Sequence, residues 1–248
     1  MTDLHIHILP GVDDGSASME ESLRMARMAV DSGVTDMAVT PHCNLPWNPQ
    51  VLWAPELQER TGQLQRELDR QHIPLTLHTG MEIYGTPDVP GMFRDGRLCT
   101  LGGSRYPLIE FAFTDCAQEA AHILRRLLEL GYRPLVAHPE RYRYLQQHPG
   151  LVNQWVGMGC LFQINRGSLY GRFGRGAEQL AWALLDRGFA ACIATDAHGA
   201  ARRTPWMRDV RQLIAEEYSP RLAQRLLEDN PRRILRDQEI ELEEPDWF

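Results

Sequence analysis

The sequence predicts an α/β barrel of seven strand–helix units, and three observations lead there. Short apolar, β-branched runs alternate with longer segments of helical periodicity from one end to the other. Such repeated alternation implies parallel strands joined by right-handed crossovers. A length of 248 residues is that of one such barrel, read as a single domain over 1–248, and several helical segments stop at a glycine (Gly33, Gly131, Gly188). An open doubly wound sheet remains the alternative, because periodicity alone does not close a barrel.

The strand candidates in order are "DLHIH" (3–7), "DMAVT" (36–40), "PLTLH" (74–78), "PLIEFA" (107–112), "RPLVA" (133–137), "CLFQIN" (160–165) and "ACIAT" (191–195). Helical periodicity covers 19–32, 55–71, 118–130, 152–158, 177–187 and 206–217. Helices over 220–228 and 230–235 close the chain, and the acidic tail "DQEIELEEPDWF" is expected on the surface.

Composition narrows the chemistry. The hydrophobic share of 43% and charged share of 24% are those of a soluble globular protein. No apolar run reaches the roughly 18 residues needed to span a bilayer, and no basic-then-apolar leader opens the chain. Five scattered cysteines (43, 99, 116, 160, 192) favour reduced thiols and a cytoplasmic setting. A net charge of −7 argues against nucleic-acid binding. All 26 basic residues are arginine, so Schiff-base chemistry, a Walker-type phosphate loop and a carboxylated-lysine bridge are excluded. Arginine's planar fork suits phosphate.

Strand alternation puts His5 and His7 on one face, ahead of a turn that carries Asp13 and Asp14. Alone, that pair reads more readily as ordinary polar positions on a half-buried strand. His42 follows the second strand, Glu82 the third, Glu110 ends the fourth, His138 and Arg141 follow the fifth, and Asp196 and His198 follow the seventh. All fall at strand carboxyl ends, where barrel enzymes build their sites. So many imidazoles and carboxylates on one rim predict a metal centre. A set without thiolate suits manganese, iron or zinc in a multinuclear cluster. Cys43 is read as a packed thiol, His78 as a residue behind the site, and His72, His122 and His148 as surface.

"HIHILPGVDDG", "TPH", "GMEI", "EF", "HPER" and "TDAHG…RTP" resemble, in order and spacing, the PHP (polymerase and histidinol phosphatase) family. Within it the chain resembles the bacterial manganese-dependent tyrosine-protein phosphatases of capsule and exopolysaccharide operons. The subgroup's marks are Asp14 and Glu110; Cys43 departs from a histidine that many relatives carry after "TPH". The resemblance implies a PHP-type distorted (β/α)7 TIM-like barrel with up to three Mn2+ ions at the C-terminal ends of its strands. One ion would take His5, His7, Glu82 and Asp196. A second would share Glu82 and add Glu110 and His138. A third would take Asp14, His42 and His198, with Asp13 as the alternative to Asp14. Arg141 and Arg203 match phosphate-binding arginines, with Arg202 adjacent.

The resemblance also implies a substrate, tyrosine-phosphorylated protein such as an autophosphorylated bacterial tyrosine kinase, attacked by a metal-bridging hydroxide. Alternatives are a small-molecule phosphatase of histidinol-phosphate type or a phosphodiesterase on the same metals, a C–N hydrolase on a related barrel, and a non-catalytic binding barrel. Trp47 and Trp53, in the loop after the second strand, are candidates to stack on a substrate ring or to plug the barrel rim. Two C-x5-R stretches, Cys99 to Arg105 and Cys160 to Arg166, match the spacing of cysteine-dependent phosphatases, but neither precedes a helix as a thiolate loop requires.

Overall fold

The computed structural model describes residues 1–48, 52–114, 117–240, 242 and 244–248. Residues 49–51 of the tryptophan loop, Cys116, and 241 and 243 of the acidic tail lie outside the described residues. In chain order the elements are β1 (Thr2–Ile6), α1 (Met19–Asp31), β2 (Asp36–Val39), β3 (His42–Cys43), α2 (Ala54–Arg70), β4 (Thr76–Thr79), β5 (Glu82–Tyr84), α3 (Val89–Arg94) and β6 (Leu108–Glu110). They continue through α4 (Ala117–Glu129), β7 (Leu135–Ala137), α5 (Arg143–Gln147), α6 (Leu151–Gly157), β8 (Leu161–Asn165), α7 (Arg175–Asp186), β9 (Ala190–Ala194), α8 (Arg208–Glu217), α9 (Pro220–Gln224) and α10 (Asn230–Leu235).

Every strand pairing is parallel, in two ladders ordered β1-β2-β4 and β3-β5-β6-β7-β8-β9. The ladders are two parts of one wall. β2 runs into β3 across Thr40-Pro41, and β4 runs into β5 across Gly80-Met81. Pro41 has no N–H to give a ladder, which is why the strand breaks there. Its carbonyl still accepts from the Glu82 N–H at 3.1 Å. At Gly80 a Cβ would lie 3.0 Å from Leu101 and 3.2 Å from Thr40, so close packing accompanies the second break.

The wall closes between its first and last strands. Asp196 N–H donates to the His5 carbonyl at 2.8 Å, His7 N–H to the Ala197 carbonyl at 2.9 Å, and Ile6 bridges Ala197 in parallel. Seven strands thus form a distorted barrel, not an open sheet. Both faces of the strands are apolar, as parallel strands covered on both sides require. One buried cluster joins Leu4, Ala38, Leu108, Leu135 and Leu161 to Tyr106, Ile234 and Leu235. Met37, Val39, Ile109, Val136 and Phe162 belong to a larger cluster shared with the helices. Alternation then fixes what reaches the rim: Glu110 shares a face with Leu108, and Gln163 and Asn165 share one with Leu161.

The helices follow the sequence with small shifts. Ser18 caps α1 by accepting from the Glu21 N–H at 3.3 Å, and Gly33 leaves the helix at φ 97°. The helix expected over 220–228 ends at Gln224, where a π-turn (Arg225–Asp229) leads into α10. That turn brings Asn230 to the Ala191 carbonyl, at 2.8 Å. The short helices α3 and α5 carry too few residues to show a period. Among the described residues no helix is long and apolar enough to cross a membrane.

Candidate metal centre

A cleft of about 950 Å³ opens at the C-terminal ends of the strands. Its floor is β1. The His5 Nε2 lies 3.2 Å from Glu82 Oε1 and 3.5 Å from Asp196 Oδ1, and the His7 Nε2 lies 3.2 Å from Glu82 Oε2 and 3.5 Å from Asp196 Oδ1. The two Nε2 atoms are 3.3 Å apart. Behind each ring the other nitrogen is held, His5 Nδ1 by Gln163 Oε1 at 2.9 Å and His7 Nδ1 by Asp13 Oδ2 at 2.6 Å. Both partners accept, so each Nδ1 carries a proton and each Nε2 is the ring atom turned inward, where its lone pair would be offered to a metal ion. Burial opposes charge on both rings. The Glu82 and Asp196 carboxylates beside His5, and above all Asp13 beside His7, outweigh it and raise both pKa values.

Glu82 sits at the middle. Besides the floor histidines it meets His138 Nε2 at 2.9 Å and His42 Nδ1 at 2.9 Å. Glu110 lies 3.7 Å from each of those two rings. On the outer side Asp14 Oδ1 is 3.5 Å from His42 Nε2 and 3.4 Å from His198 Nε2, while His198 Nδ1 donates to the Asp196 carbonyl at 3.0 Å. The other oxygen of Asp196 accepts from Asn165 Nδ2 at 2.6 Å and pairs with Arg141 (3.1 Å) and Arg203 (2.6 Å). Three rim residues, His138, Asp196 and Arg203, hold left-handed backbone at φ 33°, 50° and 49°. Such conformations are costly in non-glycine residues and collect where side-chain aim matters.

The donor set fits metal ions. Four overlapping groups have ligand atoms within 4.8 Å of one another: His5, His7 and Asp196; His5, Glu82 and His138; His42, Glu82 and Glu110; His7, Asp14, His42 and His198. Bonds near 2.1 Å put neighbouring ligand atoms about 3.0–3.4 Å apart, the spacing seen on the floor. His42 Nδ1 and Glu82 Oε2 are buried without a hydrogen bond, although they face each other. Electrostatics agrees. Burial and the Glu82 charge push Glu110 up to about 8, so the chain alone does not compensate a charge on this one carboxylate. Burial and the Arg141 charge push His138 down to about 4, leaving it neutral as a ligand must be.

Comparison with known proteins places this centre in a family. The capsular polysaccharide synthesis family, CpsB/CapC, matches residues 1–236. This chain belongs to it. It is 33% identical over 241 residues to tyrosine-protein phosphatase YwqE of Bacillus subtilis, covering 97% of this chain and 93% of that one. It is 32% identical over 247 residues to tyrosine-protein phosphatase CpsB of Streptococcus pneumoniae, covering 97% and 100%. A crystal structure from work on YwqE and CpsB, described as unique metal-dependent tyrosine phosphatases, superposes with a TM-score of 0.94 at 31% identity over 100% of this chain and 99% of the other. A mutant organophosphorus hydrolase from Deinococcus radiodurans shares the fold at 15% identity, with a TM-score of 0.58 over 94% and 92%.

Within this CpsB/CapC member, all nine residues read as ligand candidates meet in the four groups above. The adjacent aspartates have different surroundings. Asp14 faces His42 and His198, whereas Asp13 orients His7 and also accepts from the Gly15 and His42 N–H groups at 3.0 Å each. Arg203 lines the cleft, while Arg202 is exposed and does not line it. Cys43 is buried in the core, where burial pushes its thiol up to about 12. His78 is a correction: it pairs with Asp36 at 3.2 Å on β2, away from the ligand groups. Trp47 lines the cleft, 70% exposed and edge-on to Tyr84, so it is a wall and not a plug. Trp53 starts α2 instead, under Arg97. Gln163, Asn165, Phe113 and Phe173 were not read from the sequence as site residues. The polar pair in "FQIN", inside an otherwise apolar strand, was the available signal.

Proposed function

We propose that this chain is a metal-dependent protein-tyrosine phosphatase of capsule or exopolysaccharide synthesis, acting in the cytoplasm as one domain over residues 1–248. The observation that carries it is the convergence of four imidazole–carboxylate groups at one cleft that also holds Arg141 and Arg203, in a chain of the CpsB/CapC family. The ligand sets would be His5, His7, Glu82 and Asp196; Glu82, Glu110 and His138; and Asp14, His42 and His198. Manganese is the proposed ion, because hard oxygen donors share the site with imidazole and no thiolate enters. Bound there, the ions lower the pKa of coordinated water and offset charge on a phosphoryl group.

The chain's own residues do the rest. Gln163 and Asp13 hold the floor imidazoles with their lone pairs turned inward. Arg141 and Arg203 offer N–H donors to phosphoryl oxygens, whose charge grows in the transition state. Trp47 and Tyr84 give the aryl group an aromatic wall. A phenolate leaving group has a pKa of about 10, so no side chain need protonate it strongly. The proposed substrate is an autophosphorylated bacterial tyrosine kinase.

The test compares turnover of a phosphotyrosine peptide with that of histidinol phosphate, after chelation and after manganese is restored. Loss on chelation, return with manganese and preference for the peptide support the reading. Preference for histidinol phosphate moves the substrate to the small-molecule class. Full activity in metal-free protein overturns the metal centre.

A further inference from the structure

Two of the arginines that line the cleft, Arg141 and Arg203, lie over one aromatic ring. The Arg141 guanidinium carbon is 4.3 Å from the centre of the Phe173 ring and 4.6 Å from that of Phe113, so the group is flanked by two rings. Arg203 lies 5.8 Å from the same Phe173 ring. All three distances are within the reach of a cation–π contact.

The loop after β8 is shaped to deliver that ring. Asn165 ties the loop to the site: its Oδ1 accepts from the Gly167 N–H at 2.8 Å, and its Nδ2 donates to Asp196. At Gly167 a Cβ would sit 2.7 Å from the Phe173 ring, so the ring packs where a side chain is absent. Gly171 and Gly174, at φ 68° and 92°, turn the chain on either side. Phe173 remains half-buried at the cleft.

The arginines need such a support. Among the described residues their charged contact is with one atom, Asp196 Oδ2, and long side chains held at one point keep most of their rotamer freedom. Ring faces restrain the guanidinium plane without occupying its in-plane donors, which stay directed at an anion. The buried Arg203 Nε has no hydrogen-bond acceptor among the described residues.

We propose that Phe173, assisted by Phe113, is a positioning residue that holds Arg141 and Arg203 ready for the phosphoryl oxygens. The proposal rests on the phosphatase reading for its biological sense, but its first readout is binding of inorganic phosphate, measured by calorimetry on the manganese-loaded protein. Phe173→Leu keeps apolar volume and loses the ring face; Phe173→Tyr keeps the face. Phosphate affinity is expected to fall about tenfold in Phe173→Leu, the size a sheltered cation–π contact supports, and to stay near wild type in Phe173→Tyr. Metal content and melting temperature should not move. The KM for a phosphotyrosine peptide should rise by the same factor as the phosphate Kd. In an Arg141→Ala background the Phe173→Leu effect should shrink, because the two residues act as one unit.

Unchanged phosphate affinity in Phe173→Leu overturns the proposal, and a rise in KM confined to aryl substrates would then assign the ring to the substrate. Loss of metal or of fold in both variants would make Phe173 scaffold and overturn it equally. If phosphate binding falls as expected while phosphotyrosine is not hydrolysed by the wild type, the clamp stands and the phosphatase reading fails.

Discussion

The floor and the outer lip of the metal centre are built differently. His5, His7, Glu82 and Asp196 are 0–1% exposed, and each floor imidazole has its second nitrogen tied to a named acceptor. On the lip, the Asp14 side chain is 65% exposed and the His42 side chain 18%. Asp14 meets only imidazoles there, with no hydrogen bond behind it among the described residues. A ligand whose orientation is fixed before the ion arrives loses little freedom on binding, and one facing water loses more. A metal held at the floor would thus be expected to survive purification, and one held at the lip to exchange with solution.

The largest effect that would break this contrast lies at its centre. Glu82 touches His5, His7, His42 and His138, so it serves floor and lip together. Glu82→Ala is expected to lose metal from every position and to bring turnover down to the uncatalysed background. Elemental analysis after gel filtration, alongside phosphotyrosine turnover, checks it. An active Glu82→Ala with full metal content would show that the carboxylate is not shared.

A matched pair of substitutions sharpens the contrast. Gln163→Leu leaves the floor ligands in place and removes the acceptor behind His5. Outer partners of this kind are worth about 10–100-fold in metal affinity, so Gln163→Leu should weaken tight metal binding by that amount. Asp14→Ala should leave the tightly held metal unchanged and raise the manganese concentration needed for half-maximal activity about tenfold or less. Titration of metal-stripped protein reads both. Equal losses of tight metal in the two variants would abolish the distinction between floor and lip.

Legibility in the sequence follows the same line. The nine ligand candidates stood out because each sits at or after the carboxyl end of a strand, a position that a period-two pattern and a turn suffice to locate. What lies behind them was hidden, because it depends on closure of the barrel. Gln163 meets His5 across 158 residues and Asn165 meets Asp196 across 31, and no local pattern encodes either approach. Asp13 and Asp14 are neighbours in one turn, so only the turn's geometry separates an orienting carboxylate from one facing the imidazoles. The strand breaks at Pro41 and Gly80 were readable as single residues, but as ladder interruptions only once their partners were placed. Phe173 was invisible for a further reason: its loop has no period, and its role depends on two arginines that come from other loops.

The smallest effect is expected away from both floor and lip, at the cysteines with phosphatase-like spacing. Cys99 and Cys160 are each followed by an arginine six residues later, as a thiolate mechanism would need. Their arginines are committed elsewhere, Arg105 to Asp237 at 2.9 Å and Arg166 to Asp209. Burial pushes both thiols up to about 12, which leaves a thiolate fraction of about 10⁻⁵ at neutral pH. Cys160 directly precedes β8 inside the core, and neither sulfur lines the cleft. Cys99→Ser and Cys160→Ser should therefore keep most of the wild-type turnover with unchanged metal content, and acid quenching during turnover should trap no phosphocysteine. A dead but fully metallated Cys99→Ser protein would put the nucleophile on sulfur, and floor and lip would then be only a scaffold around it.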